Sequence, residues 1–194
     1  MIPGLTIIEN FITEDEEMAL LNQLDKQPWS KDISRKTQHY GRKYDYSTRS
    51  LKDAPAVPDF LASLGQKITA VNDIKNNNIN FDQVIVNRYE PGEGIAPHVD
   101  HQRLFGPIVT SISLQDDVVM DFNNVGDVDN INITHVAMPL KRRSLLIMRD
   151  AARYKYTHGI KMSTEDVWKP VGQATQRRRR GTRTSITYRT IVGI

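Results

Sequence analysis

The sequence contains no cysteine among its 194 residues, which excludes disulfide bonds and thiolate metal ligands. It has no apolar run that approaches the roughly 20 residues of a transmembrane helix. No N-terminal apolar stretch resembles a signal peptide, and no internal repeat is present. These absences predict an intracellular, cytoplasmic protein without a membrane partner, the nucleus being the alternative location in a eukaryote.

The length and the charge distribution of the chain set further expectations. A chain of this length predicts one domain over residues 1–194, with a sizeable core, and we expect a monomer. The net charge of +3 is concentrated in two stretches: the arginine-rich residues 177–183, and residues 31–49, where basic and aromatic side chains alternate. Basic groups neutralise phosphates and aromatic rings stack on bases, so both stretches favour nucleic acid over the alternative of solvated loops.

Local patterns predict two helices in the N-terminal part of the chain. Residues 13–16 have the sequence of a capping box, and the helix that follows places Met18, Leu21 and Leu24 on its apolar face. A second helix is expected after Pro58, where apolar residues recur with helical spacing.

The rest of the chain is predicted to be mostly strands. We expect strands at about residues 83–89, 108–114, 118–122, 131–138, 144–149 and 183–192. Residues 29–50 are predicted to form loops or a hairpin, and residues 161–176 an inserted loop. Two helices followed by six or more short strands predict an α+β fold with an antiparallel double-sheet roll.

Three side chains with metal-binding chemistry stand near predicted strands. His98 and Asp100 follow a glycine-rich turn, and His158 lies further along the chain. Two imidazoles and one carboxylate can hold Fe(II) on one face and leave the opposite face open. The alternative is a chance His-x-Asp pair with a structural histidine, and the downstream strand favours the metal site.

That downstream strand carries a second chemical pattern. Alternation places Arg183, Ser185, Thr187 and Arg189 on one face of a strand. Guanidinium groups bind carboxylates bidentately and hydroxyl groups add hydrogen bonds, so this face is suited to a carboxylate ligand. A solvated edge strand with a charged outer face is the alternative.

In order along the chain, Asn87-Arg-Tyr89, His98-Val-Asp100, His158 and Arg183-x(5)-Arg189 resemble the AlkB family of Fe(II)/2-oxoglutarate dioxygenases. The resemblance extends from about residue 11 to residue 191. It is strongest to the branch of the family that hydroxylates wobble-uridine side chains in tRNA.

The resemblance implies a fold and a set of cofactor-binding residues. It implies a double-stranded β-helix (jelly-roll) core with N-terminal helices and a nucleotide-recognition lid at about residues 29–50. His98, Asp100 and His158 are expected to bind Fe(II). Arg183 and Arg189 are expected to bind the two carboxylates of 2-oxoglutarate, with hydrogen bonds from Asn87 and Tyr89.

The resemblance also implies a substrate class. We expect hydroxylation of a modified nucleoside in RNA, specifically tRNA, with O₂ consumed and a methyltransferase as a partner. Repair enzymes of the family often carry a second acidic residue two positions past the iron aspartate, and here that position is Gln102, which favours a neutral base such as uridine. The residues expected to contact the substrate are Arg35, Lys36, His39, Tyr40 and Arg153.

Other functions stay open at this point. The same site chemistry could demethylate alkylated DNA or RNA bases, or hydroxylate a protein or a small molecule. A nucleic-acid-binding module with an inactive centre is a further alternative. A zinc hydrolase could use the same three ligands, but it would not explain the arginines on the downstream strand.

Overall fold

A computed structural model describes residues 2–31, 35–45, 50–75, 79–125, 134–170 and 172–192. No helix in this described part is both long and apolar enough to cross a membrane. The helices are α1 (Glu14–Asp25), α2 (Asp59–Thr69) and α3 (Asp150–Tyr154). The strands are β1 (Leu5–Ile8), β2 (Lys36–Tyr40), β3 (Arg42–Asp45), β4 (Ser50–Asp53), β5 (Gln83–Tyr89), β6 (Ile95–His98), β7 (Val109–Leu114), β8 (Val118–Asn124), β9 (His135–Leu140), β10 (Leu145–Met148), β11 (Tyr156–Ile160), β12 (Glu165–Trp168), β13 (Gln176–Arg179) and β14 (Arg183–Arg189).

Two antiparallel sheets form the body of the protein. The main sheet has the strand order β1-β10-β7-β14-β5-β2, and the second sheet has the order β6-β11-β8-β9. The hairpins β3–β4 and β12–β13 are separate two-stranded units. This arrangement, with helices at the N-terminal side of the chain, confirms the predicted α+β jelly-roll.

Two apolar clusters hold the layers together. On one face of the main sheet, side chains such as Val86, Ile112 and Ile186 pack against α1 and α2. On the other face, residues of β7 and β10 pack against the second sheet, with Phe122 and Tyr156 among the largest buried side chains. Because strand side chains alternate between faces, one sheet can serve both clusters.

The helix predictions are confirmed, with one correction. Thr13 and Glu16 form a complete capping box at the start of α1. Met18 was predicted to face the core, but it is 55% exposed. Glu17 is buried instead, because its carboxylate accepts a hydrogen bond from the backbone N–H of Gln115 and pairs with Arg142.

Several strands were not predicted. Residues 29–50, predicted to form loops or a hairpin, contain one arm of the β3–β4 hairpin and also β2, an edge strand of the main sheet that was not predicted. β1, β6 and β11 are short and were also missed. The predicted strand at 131–138 begins at His135 in the structure, and residues 131–133 lie outside the described residues.

The β12–β13 hairpin replaces most of the loop that was predicted for residues 161–176. Acidic side chains of β12 lie opposite the arginines of β13, with Glu165 in register with Arg179 and Asp166 in register with Arg178. Opposite charges on neighbouring strands stabilise such a pair. Much of the arginine run therefore makes contacts within the protein: Arg177 with Glu165, Arg178 with Asp116, and Arg180 with Asp166.

The Arg180–Asp166 pair should be a structural requirement. The two side chains are 6% and 1% exposed, and Arg180 also donates to the carbonyl of Lys161. Arg180→Met would leave a buried carboxylate unpaired, so we expect the free energy of unfolding to fall by about 3–5 kcal/mol in chemical denaturation. The exposed neighbour Arg179 provides the control, because Arg179→Met should change it by less than about 0.5 kcal/mol. Equal losses in the two variants would contradict this prediction.

Candidate metal and co-substrate site

The pairing of β6 with β11 brings the two histidines of the predicted triad together. His98 and His158 are register partners, and their ring centroids lie 4.4 Å apart. Asp100 follows two residues after His98, and its Oδ2 lies 3.6 Å from Nε2 of His158. The nearest ligand atoms of the three side chains all lie within 4.8 Å of one another, a spacing that suits one metal ion.

Gly159 permits the close approach of these two strands. A Cβ atom at this position would lie 2.9 Å from both the Cα and the N of Pro97, and 3.1 Å from the carbonyl oxygen of Ile95. Those atoms belong to β6, and any side chain at residue 159 would push that strand and His98 away. The glycine directly after His158 is therefore a sequence signal for the close approach of these strands, and it was not recognised as one.

The protonation states favour metal binding. Nδ1 of His98 lies 2.9 Å from the carbonyl oxygen of Ala96, so the ring donates a hydrogen bond from Nδ1 and Nε2 is the atom left to face a metal ion. Burial lowers the pKa of His158 to about 4, although the Asp100 carboxylate opposes this shift, so His158 is neutral at pH 7. Burial alone would raise the pKa of Asp100, but the charge of the Arg189 guanidinium holds it below its usual range.

Asp100 shows that the donor set fits a cation. Its Oδ1 pairs with Nη2 of Arg189 at 2.5 Å, whereas the buried Oδ2 has no hydrogen-bond partner. A buried carboxylate oxygen without a partner costs free energy unless a ligand satisfies it. Two imidazoles and this carboxylate oxygen form a set that suits Fe(II).

The strand β14 carries a buried guanidinium that could receive a carboxylate. Arg183 is 3% exposed and donates from Nη2 to Oγ of Ser113, but its Nε has no partner. Among the described residues, no carboxylate oxygen lies within 4 Å of this guanidinium. Burial lowers the pKa of Arg183, because a buried charge without a counter-ion is unfavourable. A carboxylate ligand would supply the missing counter-charge.

Asn87 and Tyr89 lie on the same face as Arg183, as alternation predicted. Tyr89 is in register with Arg183, whose guanidinium lies 5.8 Å from the centre of the tyrosine ring. Asn87 is in register with Ser185 and accepts a hydrogen bond from Nε of Arg35 at 2.8 Å. The structure thus brings the four predicted 2-oxoglutarate residues onto one wall, with Arg189 at the end nearest the metal ligands.

The five residues expected to contact substrate are placed differently from one another. Tyr40 is 5% exposed in the core between the main sheet and the helices, and its hydroxyl donates to Gln38, so it is not available to a substrate. Lys36 shares the strand face of Tyr40 and also points away from the site. His39 lies on the opposite face of β2, the same face as Asn87. Arg35 donates a hydrogen bond to Asn87, so Arg35 lies at the edge of the site.

Arg153 holds the segment that carries Asp100. Its guanidinium is buried and donates to four backbone carbonyl oxygens, those of Asp100, His101, Phe105 and Gly106, at 2.9 to 3.4 Å. These contacts occupy its donors inside the protein, and they give no support to the predicted substrate contact. Arg153 is a positioning residue for the metal ligand Asp100.

The chain is similar in sequence to known proteins. A family model described as the 2OG-Fe(II) oxygenase superfamily matches residues 4–189. The tRNA (carboxymethyluridine(34)-5-O)-methyltransferase alkbh8 of Xenopus tropicalis is 34% identical over 211 residues, an alignment that covers 97% of this chain and 32% of that protein. The probable RNA/DNA demethylase ALKBH6 of Danio rerio is 33% identical over 175 residues, covering 85% of this chain and 72% of that protein.

A solved structure supports the same fold. The structure of OsALKBH1 superimposes with a TM-score of 0.70 and covers 97% of each chain, at 19% sequence identity. Because the identity is low, this likeness concerns the fold. The chain spans about a third of the length of the alkbh8 relative from Xenopus tropicalis.

The two arginines of β14 should differ in their effects. Five residues of strand lie between them, which separates their Cα atoms by about 20 Å, and of the two only Arg189 contacts Asp100. Arg183→Met should weaken 2-oxoglutarate binding by about 10- to 100-fold through loss of a charge-assisted contact, with metal affinity little changed. Arg189→Met should weaken the binding of both the metal and 2-oxoglutarate. Calorimetric titration with Mn(II), followed by titration with 2-oxoglutarate, measures the two affinities. An equal loss of metal affinity in the two variants would show that the assignment is wrong.

Arg153 can be tested through metal affinity. Arg153→Lys keeps the charge but cannot reach all four carbonyls, so we expect Mn(II) affinity to fall by about 10-fold as the Asp100 segment loosens. Arg149→Lys, at the start of the same helix, is the control and should leave Mn(II) affinity unchanged. If thermal stability falls but metal affinity does not, Arg153 has only a structural role.

Proposed function

We propose that this chain, which belongs to the 2OG-Fe(II) oxygenase superfamily, hydroxylates a modified nucleoside in RNA, specifically in tRNA. It is an AlkB-type dioxygenase that uses Fe(II), 2-oxoglutarate and O₂. The observation that carries the dioxygenase chemistry is the buried Asp100–Arg189 pair, which joins a metal ligand to the carboxylate-binding strand. The alkbh8 relative, which aligns with 97% of this chain and whose name specifies a tRNA carboxymethyluridine, supports the choice of RNA.

The residues of the chain perform distinct tasks in this reaction. His98, Asp100 and His158 would hold Fe(II) from one side, while Arg183 and Arg189 would bind the carboxylates of 2-oxoglutarate. When bound, these cofactors supply the oxidising chemistry that places one oxygen atom of O₂ in a substrate C–H bond and converts 2-oxoglutarate to succinate and CO₂. The protein keeps Asp100 ionised and His158 neutral, and it orients Asp100 through Arg189 and Arg153.

The side chains after Asp100 support a neutral substrate base. Gln102 stands at the position where repair enzymes of the family often have a second acidic residue, and its Nε2 donates to the carbonyl of Tyr154. Its neighbours His101 and Arg103 are also not acidic. An alkylated base with a positive charge would find no carboxylate there, whereas a uridine needs none. A neutral uridine derivative is therefore the substrate that we propose.

The proposal extends to partners and location. The alkbh8 relative is named as a methyltransferase, and the alignment covers 32% of that protein. A methyltransferase acting on the same nucleoside is therefore the partner that we propose. Because tRNA is an intracellular substrate, the proposal includes an intracellular location. It also includes a monomeric dioxygenase unit.

Oxidative demethylation is a second candidate function. It is favoured by the likeness to ALKBH6 and to the DNA N6-methyl adenine demethylase of Caenorhabditis elegans, which is 33% identical over 165 residues. The two reactions share the cofactors and differ in the carbon that is oxidised. A hydroxylated N-methyl group leaves as formaldehyde, whereas a hydroxylated side-chain carbon keeps its oxygen.

A product analysis separates these functions. We expect Fe(II)-loaded protein with 2-oxoglutarate and O₂ to add one oxygen atom to a nucleoside of bulk tRNA, with succinate formed above the substrate-free background. Mass spectrometry of digested nucleosides detects the product, and His158→Ala is the inactive control. Release of formaldehyde with loss of a methyl group would show demethylation in place of the proposed hydroxylation. Greater turnover of methylated single-stranded DNA than of tRNA would lead to the same conclusion. Turnover of peptides but not of nucleic acids would reject both.

A further inference from the structure

We propose that His101, Gln102, Arg103 and Lys155 form a rim that holds the phosphate backbone of a single-stranded nucleic acid beside the metal site. This inference rests on the proposed function, because it assumes a nucleic-acid substrate. It assigns the backbone contacts to the turn after Asp100 and the end of α3, rather than to the arginine run at residues 177–180.

The rim is fixed directly to the metal site. Residues 101–103 follow the metal ligand Asp100, and Lys155 precedes the metal ligand His158 by three residues. The carbonyl oxygen of His101 accepts hydrogen bonds from the backbone N–H groups of Leu104 and Phe105, and also from Arg153. Since the backbone of the turn faces Arg153, the side chains of residues 101–103 extend into solvent, where all three are exposed.

One hydrogen bond joins the two parts of the rim. Nε2 of Gln102 donates to the carbonyl oxygen of Tyr154 at 3.1 Å. Arg103 and Lys155 are the direct sequence neighbours of these two residues. Their charges therefore stand on adjoining segments, each three residues from a metal ligand.

The rim charges are available to an external anion. Arg103 and Lys155 are exposed, and within the described ranges no carboxylate lies within 4 Å of either side chain. By contrast, the β3–β4 hairpin pairs its own charges, Arg42 with Asp53 and Lys52 with Asp45. The arginine run is likewise paired at three of its four positions. A phosphate can bind at the rim without first breaking an internal ion pair.

Aromatic rings lie next to these charges. The Tyr44 ring of the β3–β4 hairpin is centred 6.0 Å from the His101 ring, and Tyr154 is half-buried beneath the guanidinium of Arg153. Single-stranded nucleic acids are bound by cations that contact the backbone together with rings that stack on bases. An acidic peptide would use the cations but would gain less from the rings, so this combination favours nucleic acid.

Salt-dependent binding tests the rim. We would measure the affinity of a fluorescent single-stranded RNA for the full-length protein loaded with Mn(II) and 2-oxoglutarate, at several salt concentrations. The double variant Arg103→Ala/Lys155→Ala should bind about 10- to 100-fold more weakly at low salt, and the log–log salt slope should fall by roughly 1.4, about 0.7 for each lost phosphate contact. Mn(II) and 2-oxoglutarate titrations of each variant report whether its metal site is intact.

The matched control is Arg177→Ala/Arg179→Ala, which removes two exposed arginines outside the rim. This control should retain the affinity and the salt slope of the unaltered protein. Equal weakening in both double variants would overturn the rim and indicate non-specific attraction. Tighter binding of poly-glutamate than of RNA, with the same dependence on Arg103 and Lys155, would also overturn it.

The outcome separates the rim from the proposed function. If the rim variants lose RNA affinity but no RNA nucleoside gains oxygen, the rim stands and the proposed reaction fails. If tRNA is hydroxylated while the rim variants bind RNA normally, the reaction stands and the rim is wrong.

Discussion

The ion pair between Asp100 and Arg189 connects the parts of this protein that perform chemistry. Asp100 belongs to the segment after β6, at the second sheet, whereas Arg189 ends β14 in the main sheet. Their side chains are 4% and 14% exposed, so each charge depends on the other. Loss of one partner from such a buried pair costs about 3–5 kcal/mol. The contact therefore fixes the distance between the metal ligands and the carboxylate receptor while it holds Asp100 ionised.

Local sequence patterns were sufficient for the parts of the fold in which neighbours along the chain determine structure. The capping box at Thr13 and the apolar spacing of α2 depend on residues three or four positions apart, and both helices form as predicted. The alternation in β14 correctly placed Arg183 and Arg189 on one face, because strand geometry alone sets that face. The metal ligands and the co-substrate wall were recognisable as a set since their spacing resembles a known family.

The missed elements depend on partners that are distant in sequence. β2 has the polar sequence Lys-Thr-Gln-His-Tyr and becomes a strand because it pairs with β5 at the edge of the main sheet. Without that pairing, the opposite orientations of His39 and Tyr40 could not be assigned. β12 and β13 are held by cross-strand charges, and β6 contains a proline that is tolerated because the strand lies at a sheet edge. Arg153 likewise finds its carbonyl partners some 50 residues away, which no local pattern reports.

The charge balance of the site argues for a dianionic co-substrate beside the metal. Among the described side chains, Arg153, Arg183 and Arg189 place three positive charges at or beside the site, and Asp100 is the only carboxylate in ion-pair contact with any of them. A divalent metal would increase this excess, and 2-oxoglutarate, with two carboxylates, would reduce it. A zinc hydrolase would need the three metal ligands but would gain nothing from a buried, unpaired Arg183, since its nucleophile is a water molecule. The desolvation cost of the buried Arg183 guanidinium is offset when an anionic co-substrate binds, so co-substrate binding and the stability of the site are coupled.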